Sequence, residues 1–298
     1  MELRNLTTFV RVAELQSFSR AAQQLGYSQS AVTVQIQQLE GELGTRLFER
    51  IGRQVKLTQD GERLLPRALA VMKAVDEASR LTAGQGTPTG SLRIGTAESL
   101  LGSVLPPVLM AFGRRCPHVE LSTCTASPSQ LFQMVRQNEV DLLLFLDERT
   151  NFPEWIKAAE RQERAVFVAP ADHPLAGQKG IPLERLLQEP FLLTEKGISY
   201  RYAMEQALAS RGLAIRPFLE TGSTQLIAYL LRQRIGVSFL PEYTVTEEIA
   251  AGRLAILDVD CPPITMWSQL VYHRNKWVTP QMEIFLELMT RCLVGRPA

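Results

Sequence analysis

The stretch Phe18-Ser19-Arg20-Ala21-Ala22-Gln23-Gln24-Leu25-Gly26-Tyr27-Ser28-Gln29-Ser30-Ala31-Val32-Thr33 sets small apolar residues, one glycine and several serines where two short helices must cross. Ser17 or Ser19 can cap the first helix through its hydroxyl, Ala21, Ala22 and Leu25 form its inner face, and Gly26 stops it. After the turn Gly26-Tyr27-Ser28, Ser28 can cap a second helix running to about Leu43. Two helices crossing over a short glycine turn form a helix-turn-helix. Ala22 permits the close approach, Gly26 can take a positive φ, and Val32 and Ile36 fill the angle between the helices. The polar face that remains carries Gln29, Ser30, Thr33 and Gln37, side chains of the kind that read base edges in a major groove. The competing reading is a plain three-helix bundle whose polar face is merely solvated.

Upstream, Leu3, Leu6, Phe9, Val10, Val12 and Ala13 make the stripe of an amphipathic helix packed on this pair. Downstream, Arg46, Arg50, Arg53 and Lys56 surround Gly52 among apolar Leu47, Phe48, Val55 and Leu57. That pattern predicts a two-stranded wing with a basic tip, able to neutralise phosphates or enter a minor groove while the helix supplies sequence preference.

These segments resemble a known family. Phe18 to Leu25, Ser28 to Thr33, Leu39-Glu40, Leu43-Gly44, Leu47-Phe48-Glu49-Arg50 and Leu57-Thr58-Gln59-Asp60-Gly61 are similar to the signature of LysR-type transcriptional regulators. The resemblance implies a winged helix-turn-helix over residues 1–58, with DNA contacts from Gln29, Ser30, Thr33, Arg50 and Arg53. Ser30 stands where the family often has proline, and Val34, at a contact position, where it often has arginine. A base or phosphate contact expected from the family is therefore altered here, and double-stranded promoter DNA is the implied partner.

From Thr58, a cap followed by Asp60 and Glu62 in the first turn, Leu65, Leu69, Met72, Val75, Ala78 and Leu81 repeat at helical spacing beside Leu64, Ala68 and Val71. A long helix with so broad an apolar face reads as a dimer seam, bent early by Pro66. The family comparison agrees and implies a homodimer or homotetramer. Residues 59–90 are thus expected to form a linker helix and a hinge, Thr82 to Gly90 being the flexible part. Gly84-Gln85-Gly86 precedes the next strand instead of following one, which is the wrong order for a phosphate loop.

Beyond it, apolar strands alternate with amphipathic helices. Ser91–Thr96, Val119–Cys124, Val140–Phe145 and Ala165–Ala169 read as strands, Ala97–Ser103 as a loop entering a helix, and Leu131–Gln137 as a helix. Such alternation predicts an α/β domain with parallel sheets, whose ligands bind outside the carboxyl ends of the strands. The loops there offer Thr96, Glu98 and Ser99; Thr125, Ser127 and Ser129; Thr194, Lys196, Ser199 and Tyr200; and Glu220, Thr221, Ser223 and Thr224. Hydroxyls at helix starts can hold a small anion or simply cap their own helices.

The resemblance implies that residues 91–298 form a two-lobed effector-binding domain resembling periplasmic solute-binding proteins, lobe I covering about 91–162 and 267–298 and lobe II about 163–266. Ser99, Ser127 and Ser199 sit nearest the family's effector contacts, with Glu98, Leu100, Glu220 and Thr221 completing the expected set. Gly236 to Pro241 resembles the family's second-lobe strand motif. The chain is expected to cross first near Glu160 to Glu163 and to return through Met266 to His273 into a closing helix with Met282, Phe285, Leu286, Met289 and Leu293. A small-molecule effector, anionic in character, and RNA polymerase are the further partners expected.

Other functions fit less well. GxSxG, HExxH and P-loop motifs are absent, and His118, His173 and His273 are isolated, so neither an enzyme nor a cofactor or metal site is expected. The cysteines, Cys116, Cys124, Cys261 and Cys292, form no CxxC pair. A thiol-based redox-sensing regulator is the nearest rival, but Ile198-Ser199-Tyr200 stands where redox-sensing relatives place a cysteine. A free-standing solute receptor would not carry residues 1–60. No apolar run approaches the roughly 18 residues needed to span a bilayer, and Met1 to Asn5 lacks a signal-peptide start, so the expected location is the cytoplasm. The net charge of +1 gives no whole-chain pull toward nucleic acid, leaving the local features to carry that reading.

Overall fold

The computed structural model describes residues 1–51, 54–82 and 87–295. Helix α1 (Leu3–Leu15) ends at Gln16, and Ser17 settles the choice of cap: its hydroxyl accepts from Arg20 N at 3.3 Å to start α2 (Phe18–Leu25). Gly26 closes α2 with φ +70°, and Ser28 caps α3 (Gln29–Leu43), accepting from Ala31 N at 3.2 Å. Strands β1 (Phe48–Ile51) and β2 (Gln54–Leu57) pair antiparallel as the wing. Glu40 joins helix to wing, its Oε1 accepting from Leu47 N at 2.7 Å and from Phe48 N at 3.3 Å. Phe9, Val10, Val32, Ile36, Leu39 and Leu47 form the core beneath, with the Phe48 ring 5.4 Å from Phe9 and 5.7 Å from Phe18.

Thr58 caps the long helix α4 (Gln59–Thr82), accepting from Gly61 N at 3.1 Å while donating to Arg46 O at 2.6 Å. The apolar stripe of α4 has a different first use from the seam expected. Leu65, Ala68 and Met72 are buried in the helix-turn-helix core of their own chain, with Leu64 and Leu69 packed at its edge. Val71 is left on the exposed side. Spacing alone does not say which neighbour an apolar face meets, and here α1 is that neighbour for the first half of the helix.

The remaining elements are β3 (Thr89–Thr96), α5 (Glu98–Ser103), α6 (Leu105–Arg115), β4 (His118–Thr125), α7 (Pro128–Arg136), β5 (Leu142–Asp147) and β6 (Trp155–Pro170). They continue as α8 (Leu183–Leu186), β7 (Phe191–Leu193), α9 (Ser199–Ala209), β8 (Pro217–Glu220), α10 (Thr224–Arg232), β9 (Val237–Pro241), α11 (Thr246–Ala250), β10 (Leu254–Ile256), β11 (Ile264–His273) and α12 (Pro280–Gly295). Ala97–Ser103, read above as a loop, is mostly the short helix α5. Six residues are too few for a periodic signal to stand out.

Nine strands form one sheet in the order β4-β3-β5-β11-β6-β9-β7-β8, with β10 beside β6. Its two ends are parallel-stranded, β4-β3-β5 in lobe I and β9-β7-β8 in lobe II. Between them the antiparallel pair β11 and β6 runs from Ile264 against Ala165 to His273 against Trp155, with one register shift between Leu270 and Val271. Each parallel end contributes apolar strands such as Leu142–Leu146 and Phe191–Leu193, buried on both faces as strands under helices must be. In lobe I, α12 packs on α6 with Phe112 and Phe285 edge to face at 5.6 Å. Gln269 and Ser268, both fully buried at the crossing, are paired. Gln269 accepts from Thr150 N at 3.0 Å and donates to Glu148 O at 2.9 Å, and Ser268 donates to Glu163 at 3.1 Å.

Asp141, just before β5, binds β3 through Arg93: Oδ2 accepts the Arg93 backbone N–H at 2.7 Å and Oδ1 the guanidinium at 2.8 Å. Burial works to raise its pKa, but Arg93 and the Lys276 ammonium overcome that and hold the carboxyl below the usual carboxylate range. A depressed folded-state pKa contributes stability above the unfolded value and loses it as pH falls through the folded one. Stability is therefore expected to stay level for this group down to the ordinary carboxylate range and to fall below it. Asp141→Asn should remove part of that acid-side slope in urea melts run at stepped pH; an unchanged slope would assign the acid sensitivity to other groups.

Candidate functional site

Helix α3 presents Gln29, Ser30, Val34 and Gln37 to solvent, with Thr33 half-buried. Two of these side chains are already oriented by local bonds. Ser19 donates to Gln29 Oε1 at 2.8 Å, tying α2 to the start of α3, and Ser30 and Ser28 share a hydroxyl bond of 2.9 Å. Thr33 spends its hydroxyl donor on Gln29 O at 2.9 Å, which leaves that oxygen able only to accept from a further partner. Val34, 49% exposed, supplies only apolar surface on this face. Beside the helix, Arg46 and Lys56 are exposed on the wing. Arg53 and the side chain of Arg50 lie outside the described residues.

The second candidate is a cleft of about 830 Å³ between the lobes. The ends of β3, β4, β5 and β7, the loop after β8, and the starts of α5, α7, α9 and α10 converge on it. This is where an open parallel sheet leaves its strand ends and helix N-termini unpartnered. Glu98, Ser99, Ser127 and Ser199 all line it, together with Thr125, Ser129, Lys196 and Tyr200.

Three of the expected contact residues tie the lobes together. Glu98 Oε2 accepts from Thr224 N at 3.0 Å and from Thr224 Oγ1 at 2.7 Å, placing a carboxylate on the N-terminus of α10. Ser99 and the Tyr243 hydroxyl are 2.9 Å apart, and Ser199 donates to Leu146 O at 2.8 Å. Ser127 serves as a cap, linked to Gln130 Oε1 through its N–H at 3.2 Å and its hydroxyl at 2.8 Å.

Other expected contacts stand elsewhere. Leu100 is fully buried in the lobe core on the inner face of α5. Glu220 is drawn to Arg201 at 2.8 Å, which holds its carboxylate below the usual range, and Thr221 Oγ1 accepts from Ser223 N at 3.3 Å in the turn before α10. Neither lines the cleft. In their place the structure adds Asp147, Glu195 and Tyr202, which the sequence reading passed over. Asp147 ends β5, one pleat beyond the apolar run, and burial raises its carboxyl above the usual range. An acid closing a buried parallel strand was the available signal. Among the described residues lining the cleft, Glu98, Asp147 and Glu195 are acidic and Lys196 is the single cation.

The thiols give the redox alternative no support. Burial pushes Cys116, Cys124 and Cys261 above the usual thiol range, which disfavours the reactive thiolate. No cysteine is among the described residues lining the cleft. No described helix is long and apolar enough to cross a membrane.

Comparison with known proteins matches residues 3–62 to the bacterial regulatory helix-turn-helix protein, lysR family, and residues 85–293 to the LysR substrate binding domain. The chain is 35% identical over 291 residues to the uncharacterized HTH-type transcriptional regulator YwqM of Bacillus subtilis (strain 168), covering 97% of this chain and 98% of that one. It is likewise 35% identical over 291 residues to the RuBisCO operon transcriptional regulator of Allochromatium vinosum, covering 97% and 95%. Among solved structures, the Synechocystis PCC6803 CcmR regulatory domain in complex with 2-PG superposes with a TM-score of 0.59 at 26% identity, over 70% of this chain and all 100% of that one. An open recognition helix beside a wing, a two-lobed α/β domain with a cleft at its strand ends, and these matches over both parts lead to one conclusion: the chain belongs to the LysR-type family of DNA-binding transcriptional regulators, which carry an effector-binding domain and are not enzymes.

Proposed function

We propose that this chain switches transcription at its own promoter region in response to a small acidic effector held in the interlobe cleft. The observation that carries this reading is the cleft itself, built from both lobes and closed by Glu98–Thr224, Ser99–Tyr243 and Ser199–Leu146 bonds that a ligand must accommodate or replace. Residues 1–58 read DNA through Gln29, Ser30, Thr33, Val34 and Gln37, with Arg50 and Arg53 on phosphates. Residues 59–90 join them to the two lobes, lobe I of about 91–162 and 267–298 and lobe II of about 163–266. An acid group of the effector sits by Lys196 and the hydroxyls of Ser127 and Ser129, where a helix start adds its dipole. Its other end meets Asp147, which closes β5 and offers a hydrogen-bond acceptor to a hydroxyl of the effector. The protein works in the cytoplasm as a homodimer or homotetramer seamed along the exposed side of α4, and RNA polymerase reads the outcome.

The relatives supply a first probe. CcmR holds 2-PG, and regulators of RuBisCO operons are among the proteins most similar to this chain. Fluorescence polarisation with the gene's own upstream duplex, random duplex and fixed salt is expected to give at least about a thousandfold preference for the former. Equal binding to both would overturn a specific regulator. Added 2-PG is expected to shift that affinity, and Lys196→Met to weaken 2-PG binding by about tenfold or more, the loss of one charged hydrogen bond. Lys196 is exposed, so the substitution should leave the melting temperature unchanged. No 2-PG binding to the wild type would exclude it and leave the cleft to another effector.

A further inference from the structure

The loop between β11 and α12, residues 274–279, reaches across to the helix-turn-helix. Lys276 is only 9% exposed, and its ammonium stands between groups from both domains: Glu14 of α1 at 2.7 Å, Asp141 at 2.8 Å, and the amide oxygen of Asn138. Glu14 is buried too and binds Arg11 at 2.6 Å, and the Arg11 guanidinium stacks on the Trp277 ring at 4.6 Å. Trp277 itself packs against the helix-turn-helix core although it belongs to the effector domain. One turn away, Arg20 of α2 donates to Gln137 O.

Two features mark this contact as built. The carboxylates of Glu14 and Asp141 are matched by Arg11, Lys276 and Arg93, so no buried charge is left alone, the arrangement a desolvated cluster requires. Gln16, at the end of α1, and Asn138, after α7, end their helices in the left-handed conformation common past a helix C-terminus (φ 50° and 52°), which brings both chain turns to the seam. They line the same 130 Å³ cavity at the junction, with Glu14, Glu154, His273 and Lys276.

We infer that residues 274–279 form a clasp that docks the helix-turn-helix on lobe I, with Lys276 the shared cation and Trp277 the apolar anchor. These are positioning residues: they touch neither the DNA-reading face nor the cleft, but fix how the first is aimed relative to the second. The recognition face of α3 stays open while the clasp is shut, so the contact orients the domain without covering it. The clasp continues directly from β11, the strand that pairs with β5 of lobe I and with β6 along the crossing between the lobes.

Hydrogen–deuterium exchange of the full chain, without DNA or effector, tests this by reciprocity. Lys276→Met and Trp277→Ala are expected to raise amide exchange in α1 by about tenfold or more, and Glu14→Gln, in the other domain, to do the same for residues 135–141. Exchange in β7 and β9 of lobe II should stay as in the wild type. If each substitution loosens only its own domain, or none changes exchange, the domains are undocked in solution and the clasp is refuted. If Lys276→Met loosens lobe II as well, the lysine serves folding of the effector domain and the inference is equally overturned. Trp277→Ala keeps every charge in place, so it distinguishes lost docking from an unpaired buried carboxylate.

Discussion

Replacing Gly61 by alanine is expected to destabilise the N-terminal domain by about 3 kcal/mol, the upper end of overpacking penalties, and to abolish duplex binding with it. The cause is not its backbone angle. A Cβ at this position would lie 2.2 Å from the carbonyl oxygen of Leu47 and 2.9 Å from Leu57 Cδ2, because α4 starts directly against the root of the wing. The oxygen belongs to the backbone, so relief requires moving the wing or the helix and breaking the Thr58 bonds to Gly61 and Arg46. Urea unfolding followed by far-ultraviolet dichroism, alongside fluorescence polarisation, measures both losses. A variant within about 0.5 kcal/mol of wild type would mean that wing and helix have room to part.

The second large effect concerns sequence reading. Gln29→Ala is expected to weaken operator binding by about 5- to 150-fold, the roughly 1–3 kcal/mol that one bidentate base contact supplies, and to leave random duplex almost untouched. Ser19 holds the Gln29 amide in place before DNA arrives, so the ordering entropy is already paid. Arg53→Ala should do the reverse, lowering affinity for both duplexes and flattening the dependence on salt. Equal losses on specific and random DNA from both variants would remove this division of labour. Thr33→Val should be milder, since its hydroxyl donor is already committed to the helix backbone.

The N-terminal architecture was legible because its signals are local. Ser28 caps, Gly26 stops and Val32 fills within a few residues of the positions they control, and the wing follows from turn and alternation. The lobes were legible as alternating strands and helices for the same reason. What stayed hidden depends on distant neighbours. The stripe of Leu65, Ala68 and Met72 is equally apolar whether it meets a second chain or its own α1. Serines at strand ends look alike whether they face a ligand or, as with Ser99 and Ser199, reach the opposite lobe. Tyr202 enters the cleft only through the juxtaposition of lobes far apart in sequence, Asp147 was marked by nothing but its place at the end of a buried strand, and Leu100 leaves the cleft because the helical turn of α5 points it inward.

The salt bridge between Glu14 and Lys276 also bears on how such a protein can be rebuilt. Regulators made of a reading head and a sensing body invite recombination, the head of one relative joined to the body of another somewhere along the connecting helix. Here the ammonium in the body is neutralised partly by a carboxylate from the head. A transplanted head with an alanine at position 14 would leave the ammonium to Asp141 alone, and one with a lysine would bring a second cation into a buried seam. In this chain, then, position 14 belongs, for purposes of grafting, to the body, and a head joined to it should bring a carboxylate there.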